Sequence, residues 1–193
     1  MATTFARPAD ESSMYEVEVK VAADLDVVAE RLGELGATRT GDVVQVDTYY
    51  DAPHREFAET DEALRVRRES RDGGTEARIT YKGPLVEAES KTREEHETGV
   101  GSGETADAIF ANLGFEPAAT VTKDRQCYRY KGYTVTLDAV EDVGEFVEVE
   151  TETDADGVEA ARKGAFEVLD ELGLDPAEQT RTSYLGMLLE DAP

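Results

Sequence analysis

The sequence predicts an α+β protein: eight antiparallel strands closed into a barrel, with helices packed outside it. Three observations carry that expectation. Apolar and polar residues alternate strictly in several short segments, a β-α-β-β-β order occurs twice along the chain, and the strands follow one another at near-hairpin spacing. Closing such a sheet on itself removes its exposed edges, and the apolar strand faces give the helices a surface to cover.

The first strand covers 15–21, where Tyr15-Glu16-Val17-Glu18-Val19-Lys20-Val21 alternates without a break. A helix follows over 24–35: Leu25, Val28, Leu32 and Leu35 form one stripe, and Gly36 marks its stop. Strands are expected over 43–50, 63–69 and 77–82, with Asp72-Gly73-Gly74 as the turn between the last two and Gly83-Pro84 ending the third. The second half repeats the scheme with a strand over 91–97 and a helix over 104–113. Ala106, Ile109, Phe110 and Leu113 face inward from that helix, Gly114 closes it, and strands follow over 119–130, 133–137 and 146–151. An offset of 79 residues carries Glu16 onto Glu95, Glu18 onto Glu97, and the Leu35-Gly36 stop onto Gly114 within one residue. That match is too loose for a solenoid and suits one pseudo-symmetric domain spanning 14–190. A third helix over 158–172 ends at Gly173, and a short one over 183–189 follows. Residues 1–13 read as a disordered leader lacking the apolar stretch of a signal peptide, with Met14 as an alternative start.

Composition narrows the function. The 193 residues hold 44 Asp plus Glu against 20 Lys plus Arg, a net charge of −24. Nonspecific nucleic-acid binding and docking on anionic lipid both need a basic face and are excluded as expectations. No apolar run approaches the ~20 residues of a membrane span. Cys127 stands alone, so there is no internal disulfide, and with only His54 and His96 beside it there is no zinc-type cluster. A reducing cytoplasm is the expected location. The acids are spread along the chain, alternating with apolar residues. Such a surface repels itself in dilute buffer but is tolerated where salt shortens screening to about 3 Å near 1 M, which points to a halophilic host.

Strand parity then sorts the charges. Glu16, Glu18 and Lys20 share one face; so do Arg65 and Arg67; Arg78, Thr80 and Lys82; Lys91, Arg93, Glu95 and Glu97; Lys123 and Arg125; and Glu148 and Glu150, with Asp138 ending the strand before. For any single strand a solvated outer face is the ordinary explanation. Taken together, about half of a scarce supply of cations falls at alternating strand positions of one sheet, opposite acidic pairs. If the apolar faces point outward under the helices, those charges line the lumen. Unpaired buried charge is costly, so that lumen must be wet and filled by counter-charge. Arg and Lys suit phosphate oxygens, carboxylates suit a divalent metal, and the two together suit a metal-bridged polyphosphate.

At this level the chain resembles a known family. Glu16-Val17-Glu18-Val19-Lys20 is similar to the ExExK signature of the CYTH family, the class IV adenylyl cyclase and thiamine-triphosphatase group, also called triphosphate tunnel metalloenzymes. The order of further segments agrees: Asp47-Thr48-Tyr49-Tyr50-Asp51; Ala63-Leu64-Arg65-Val66-Arg67-Arg68; Ile79-Thr80-Tyr81-Lys82-Gly83-Pro84; Arg93-Glu94-Glu95; Lys123-Asp124-Arg125; Leu137-Asp138-Ala139-Val140; the 144–150 run; and Ser183-Tyr184-Leu185. The resemblance implies an eight-stranded tunnel that binds a triphosphate with Mg²⁺ or Mn²⁺. Carried over by position, Glu16, Glu18, Glu148 and Glu150 resemble metal ligands, and Asp138 a further ligand or water-orienting group. Lys20, Arg65, Arg67, Lys82, Arg93, Lys123 and Arg125 resemble triphosphate binders, with Lys20, Asp138 and Glu148 as the catalytic set. Dimers occur in the family, which makes a homodimer an expectation by analogy.

Two chemistries fit one tunnel. In the cyclase reaction the ribose 3′-oxygen of ATP attacks the α-phosphorus and pyrophosphate leaves; in hydrolysis of a triphosphate, water attacks the terminal phosphorus. Both depend on positioning and charge neutralisation. The pattern looks closest to the class IV cyclase branch, with Ser12-Ser13-Met14 where some bacterial cyclases carry His-Phe ahead of ExExK. Small-triphosphate hydrolysis is the alternative, and a non-catalytic nucleotide- or polyphosphate-binding module a second. The acidic pairs weigh against the last, since anion binding alone gains nothing from carboxylates. His54 and His96 read as surface side chains, Cys127 as a small apolar filler, Tyr49, Tyr50, Tyr128 and Tyr130 as packing residues, and Gly73-Gly74 as a turn.

Overall fold

The computed structural model describes residues 14–54, 57–71, 73–85 and 93–190. The leader expected over 1–13, and Lys91, lie outside them. In chain order the elements are β1 (Tyr15–Ala22), α1 (Leu25–Glu34), β2 (Thr38–Asp51), α2 (Phe57–Thr60), β3 (Ala63–Arg71), β4 (Gly74–Leu85), β5 (Arg93–Val100), α3 (Gly103–Asn112), β6 (Glu116–Tyr130), β7 (Tyr133–Val140), β8 (Gly144–Thr153), α4 (Val158–Glu171) and α5 (Tyr184–Glu190). The strands form a closed barrel in the order β1-β5-β4-β3-β2-β6-β7-β8, every pair antiparallel.

The twofold use of one β-α-β-β-β unit is visible in this order. β1 to β4 with α1 form the first copy, β5 to β8 with α3 the second, and the pairs β1–β5, β1–β8, β2–β6 and β4–β5 join them. The first copy adds α2. Closure also brings the chain's first strand against its eighth: Glu18 lies opposite Glu150 and Lys20 opposite Glu148. The two acidic pairs, far apart in sequence, thus become neighbours.

The barrel is inside out relative to a soluble sheet. Val17, Val19 and Val21 of β1 are almost fully buried on its outer face, and Val19 and Val21 pack with Leu137, Val147, Val149 and the stripes of α1 (Val28, Leu32) and α4 (Val168, Leu169). Burying such a side chain contributes roughly 1.5–3 kcal/mol relative to leaving it in water, so this outer shell drives folding. Asp24 caps α1 by accepting from the amides of Asp26 (3.1 Å) and Val27 (3.2 Å), and Gly36 ends it at φ 73°, a left-handed conformation that costs Gly little. α3 covers the opposite side, where Ala106 packs on Tyr50 and Val66. Asp107 ties it down, accepting from the Tyr50 hydroxyl at 2.6 Å and pairing with Arg68. Inward parity leaves Val121, Val140, Phe146 and Tyr49 at one end of the lumen. There they form a separate apolar cluster with Tyr184, Leu185, Met187 and Leu188, so α5 lies against that end.

Candidate active site

The remaining inward positions line a cavity of about 270 Å³ that is bounded almost wholly by charged side chains. On one side, carboxylate oxygens of Glu16, Glu18 and Glu150 lie within 4.8 Å of one another. Burial, reinforced by Glu16, Glu148 and Glu18, pushes Glu150 up to about 7 despite the opposing Arg125. Burial likewise raises Glu16, against Lys82 and with Glu95. Three carboxylates converge here, and the raised Glu16 and Glu150 mark a site short of cationic charge. An all-oxygen donor set of this size fits a hard divalent cation such as Mg²⁺ or Mn²⁺.

The cations face this cluster in three groups. Arg125 forks both oxygens of Asp138, at 2.6 and 2.5 Å, and also donates to Glu148. Lys123 lies 3.5 Å from Asp138, and Lys20 3.8 Å from Glu148. Arg67 forks Asp47 with two bonds of 2.7 Å, and Arg65 donates to the same carboxylate and to the Tyr49 hydroxyl, each at 3.3 Å. Lys82 pairs with Glu16 and, at 2.9 Å, with Glu95. Burial alone would raise Asp47 and Glu148; Arg65 and Arg67 hold the first, and Arg125, Lys123 and Lys20 the second, well below the usual carboxylate range.

The structure therefore divides the carboxylates that sequence grouped together. Glu16, Glu18 and Glu150 converge; Glu148 turns toward Lys20 and Arg125; Asp138, fully buried behind Arg125, is engaged by Arg125, Lys123 and Tyr184. Of the cations, Lys20, Arg65, Arg67, Lys82, Lys123 and Arg125 line the cavity with their ion partners beside them. Arg93 lines it too, but its guanidinium reaches the Asp61 turn, donating to the backbone oxygen at 2.6 Å and the carboxylate at 2.9 Å. Arg78 sits at the rim with Glu97, and both histidines are exposed, His96 stacked on Tyr81.

Several residues in or beside the cavity are not marked as site residues by the sequence, among them Glu62, Glu152, Asp47 and Tyr184. Asp47 belongs to a segment read for its likeness alone, although its parity and its register opposite Arg67 place it among the cations. Tyr184 sits on a short helix whose inward direction no strand periodicity reveals. Cys127 has lumen-facing parity rather than an outer, packed position, and is half-buried.

Lys123 yields a testable consequence. Burial, then Arg125, pulls its ammonium down to about 8 from 10.5, against Asp138. The unfolded chain keeps that proton up to about 10.5, so it binds more protons than the folded protein between about 8 and 10.5, and stability contributed by this group rises with pH across that window. Relative to Lys123→Met, the ligand-free wild type is expected to gain roughly 3 kcal/mol over that range. Chemical denaturation at a series of pH values checks this; parallel pH profiles of the two proteins would contradict it.

Comparison with known proteins agrees with this geometry. The model of the CYTH domain matches residues 14–184. The chain belongs to the CYTH domain family. A Methanocaldococcus jannaschii protein named provisionally as an adenylate cyclase is 37% identical over 174 residues, covering 89% of this chain and 97% of its own. The solved structure of the PH1819 protein of Pyrococcus horikoshii is 37% identical, covers 92% of this chain and 99% of its own, and has a TM-score of 0.85. A Hippeastrum protein described as having a dominant triphosphatase activity shares the fold, with a TM-score of 0.66 and 16% identity over 93% of this chain and 97% of its own. This CYTH chain has the family's closed tunnel, and among its described residues no helix is long and apolar enough to cross a membrane.

Proposed function

We infer that this CYTH protein is a metal-dependent enzyme acting on a triphosphate held in the barrel lumen, and that its reaction converts ATP to cAMP and pyrophosphate. The observation that carries the reading is the opposition, across one cavity, of the Glu16/Glu18/Glu150 cluster and the cations of β1, β3, β4 and β6. The likeness to the archaeal relative, at 37% identity over nearly its whole length, supports the cyclase assignment.

Glu16, Glu18 and Glu150 would hold Mg²⁺ or Mn²⁺. A cation bound there supplies charge neutralisation at a phosphate oxygen and lowers the pKa of a coordinated nucleophile. The chain's own residues do the positioning. Lys20, Arg65, Arg67, Lys82, Lys123 and Arg125 bind and orient the phosphates, neutralising charge that grows on the leaving group. Asp47, Asp138 and Glu148 hold those cations in place before substrate arrives, so little reorganisation is left for the reaction. Lys123, near 8, can exchange a proton close to neutral pH. Lys20, which shares β1 with Glu16 and Glu18 and lies 3.8 Å from Glu148, is the catalytic lysine of this reading.

Hydrolysis of a small triphosphate is the second reading. It is favoured by the lining itself: apart from Tyr49, Ala63, Tyr184 and Leu185 the cavity wall is charged or polar, which suits a phosphate chain better than a base. Incubation with ATP and Mn²⁺, followed by separation of cAMP from ADP and phosphate, decides between them. The cyclase reading predicts cAMP with stoichiometric pyrophosphate; ADP and phosphate alone, alongside rapid tripolyphosphate hydrolysis, would replace it with the second.

The surface carries a further proposal, a cytoplasm rich in salt. With a net charge of −24, the melting temperature is expected to climb steeply from dilute buffer to about 1 M KCl as repulsion is screened. A melting temperature indifferent to added salt would contradict it.

A further inference from the structure

We propose that Tyr184, carried into the lumen by α5, is a positioning residue that sets the Lys20 and Lys123 ammonium groups for phosphate and completes the site from the chain's last helix. The inference rests on the triphosphate reading above and adds to it a residue and an element that strand charges alone do not reveal.

Three contacts converge on this one side chain. Lys20 Nζ lies 4.0 Å from the centre of the Tyr184 ring and Lys123 Nζ 5.1 Å from it, both inside cation–π range. Both lysines line the cavity yet are almost fully buried, at 2% and 4% exposure, so the ring takes the place of much of the water that would surround an exposed ammonium. The Tyr184 hydroxyl donates to Asp138 Oδ2 at 3.0 Å, and Asp138 in turn fixes Arg125. Burial, followed by Glu148 and Asp138, pushes the phenol well above its usual range, so it remains a donor throughout the physiological pH range. One residue thereby touches two phosphate-facing cations directly and reaches a third through Asp138.

The ring is itself held by apolar packing. Phe146 meets it at 5.3 Å and 57°, and Tyr49, Val121 and Val140 surround it together with Leu185, Met187 and Leu188 of α5. Lys20 is anchored at this end of the barrel as well, since its backbone oxygen accepts from the Thr180 amide at 2.8 Å on the approach to α5. Docking of the helix and placement of the lysines are therefore coupled. A lysine on a flexible four-carbon stem is a poor phosphate ligand until something restricts it. The aromatic face supplies that restriction and still leaves the ammonium's donors for phosphate oxygens.

The test is calorimetric binding of inorganic tripolyphosphate, with Mg²⁺, to wild type, Y184F, Y184L and Y184M, each checked for cooperative melting. Y184F keeps the ring and is expected to bind within about twofold of wild type. Y184L and Y184M lack it and are expected to bind about tenfold more weakly or worse, because the buried lysines lose their partner. A structural role in docking α5 would not distinguish ring from aliphatic among variants that melt alike. Wild-type affinity in both Y184L and Y184M, or a loss in Y184F equal to theirs, would overturn the inference. Wild-type protein that binds no tripolyphosphate would instead overturn the proposed function, and this inference with it.

Discussion

Glu18→Gln is expected to lower turnover roughly 10²–10³-fold while leaving the ligand-free protein as stable as wild type or more so. The two effects have one origin. Glu18, Glu16 and Glu150 bring three carboxylates within 4.8 Å of one another, a repulsive arrangement unless a cation sits among them. Replacing one by a neutral amide of the same shape relieves that repulsion and at the same time weakens the site for the cation. Tripolyphosphate binding without metal should change little, because the lysines and arginines that hold phosphate are untouched. Steady-state kinetics in Mn²⁺, paired with thermal melting, reads both quantities. Loss of turnover accompanied by a large drop in melting temperature would mean that Glu18 is an ordinary structural residue.

Asp138→Ala is expected to have the largest effect on stability, a loss of about 3–5 kcal/mol. Asp138 is fully buried and engages both Arg125, through two short hydrogen bonds, and Lys123. Removing it leaves two buried cations with only Glu148 between them, and an uncompensated buried charge costs far more than the intact pair contributes. In a chain of this size the melting temperature should fall by about 10 °C. Triphosphate at saturating concentration should recover part of that loss, since its own negative charge takes the place of the missing carboxylate. A mutant that melts like wild type in the absence of ligand would contradict the account of the network.

How much of this was legible in the sequence differs between barrel and site. The alternation in β1 and the parity of the charged residues placed Lys20, Arg65, Arg67, Lys82, Lys123 and Arg125 on one face, and the same face lines the cavity. Strand lengths were less legible. β2 extends to Thr38 and β6 to Glu116 because the two pair along nearly their whole length through exposed residues that carry no apolar-polar alternation. Pairing between charged groups was less legible still. Parity puts a side chain in the lumen but does not say which partner it meets, so the separation of Glu148 and Asp138 from the Glu16, Glu18 and Glu150 cluster depends on the β1–β8 and β6–β7 registers. Tyr184 lay beyond any strand rule, since its direction is set by how a seven-residue helix packs on the end of a barrel.

A cation and a phosphate chain are expected to meet in the lumen. A structure of the protein with Mn²⁺ and a nonhydrolysable ATP analogue, with the metal located by its anomalous scattering, tests that most directly. Manganese is expected between Glu16, Glu18 and Glu150, with phosphate oxygens against Lys20, Arg65 and Arg125. An analogue bound on the outer surface, or a lumen that stays free of both metal and phosphate at saturating concentrations, would contradict it.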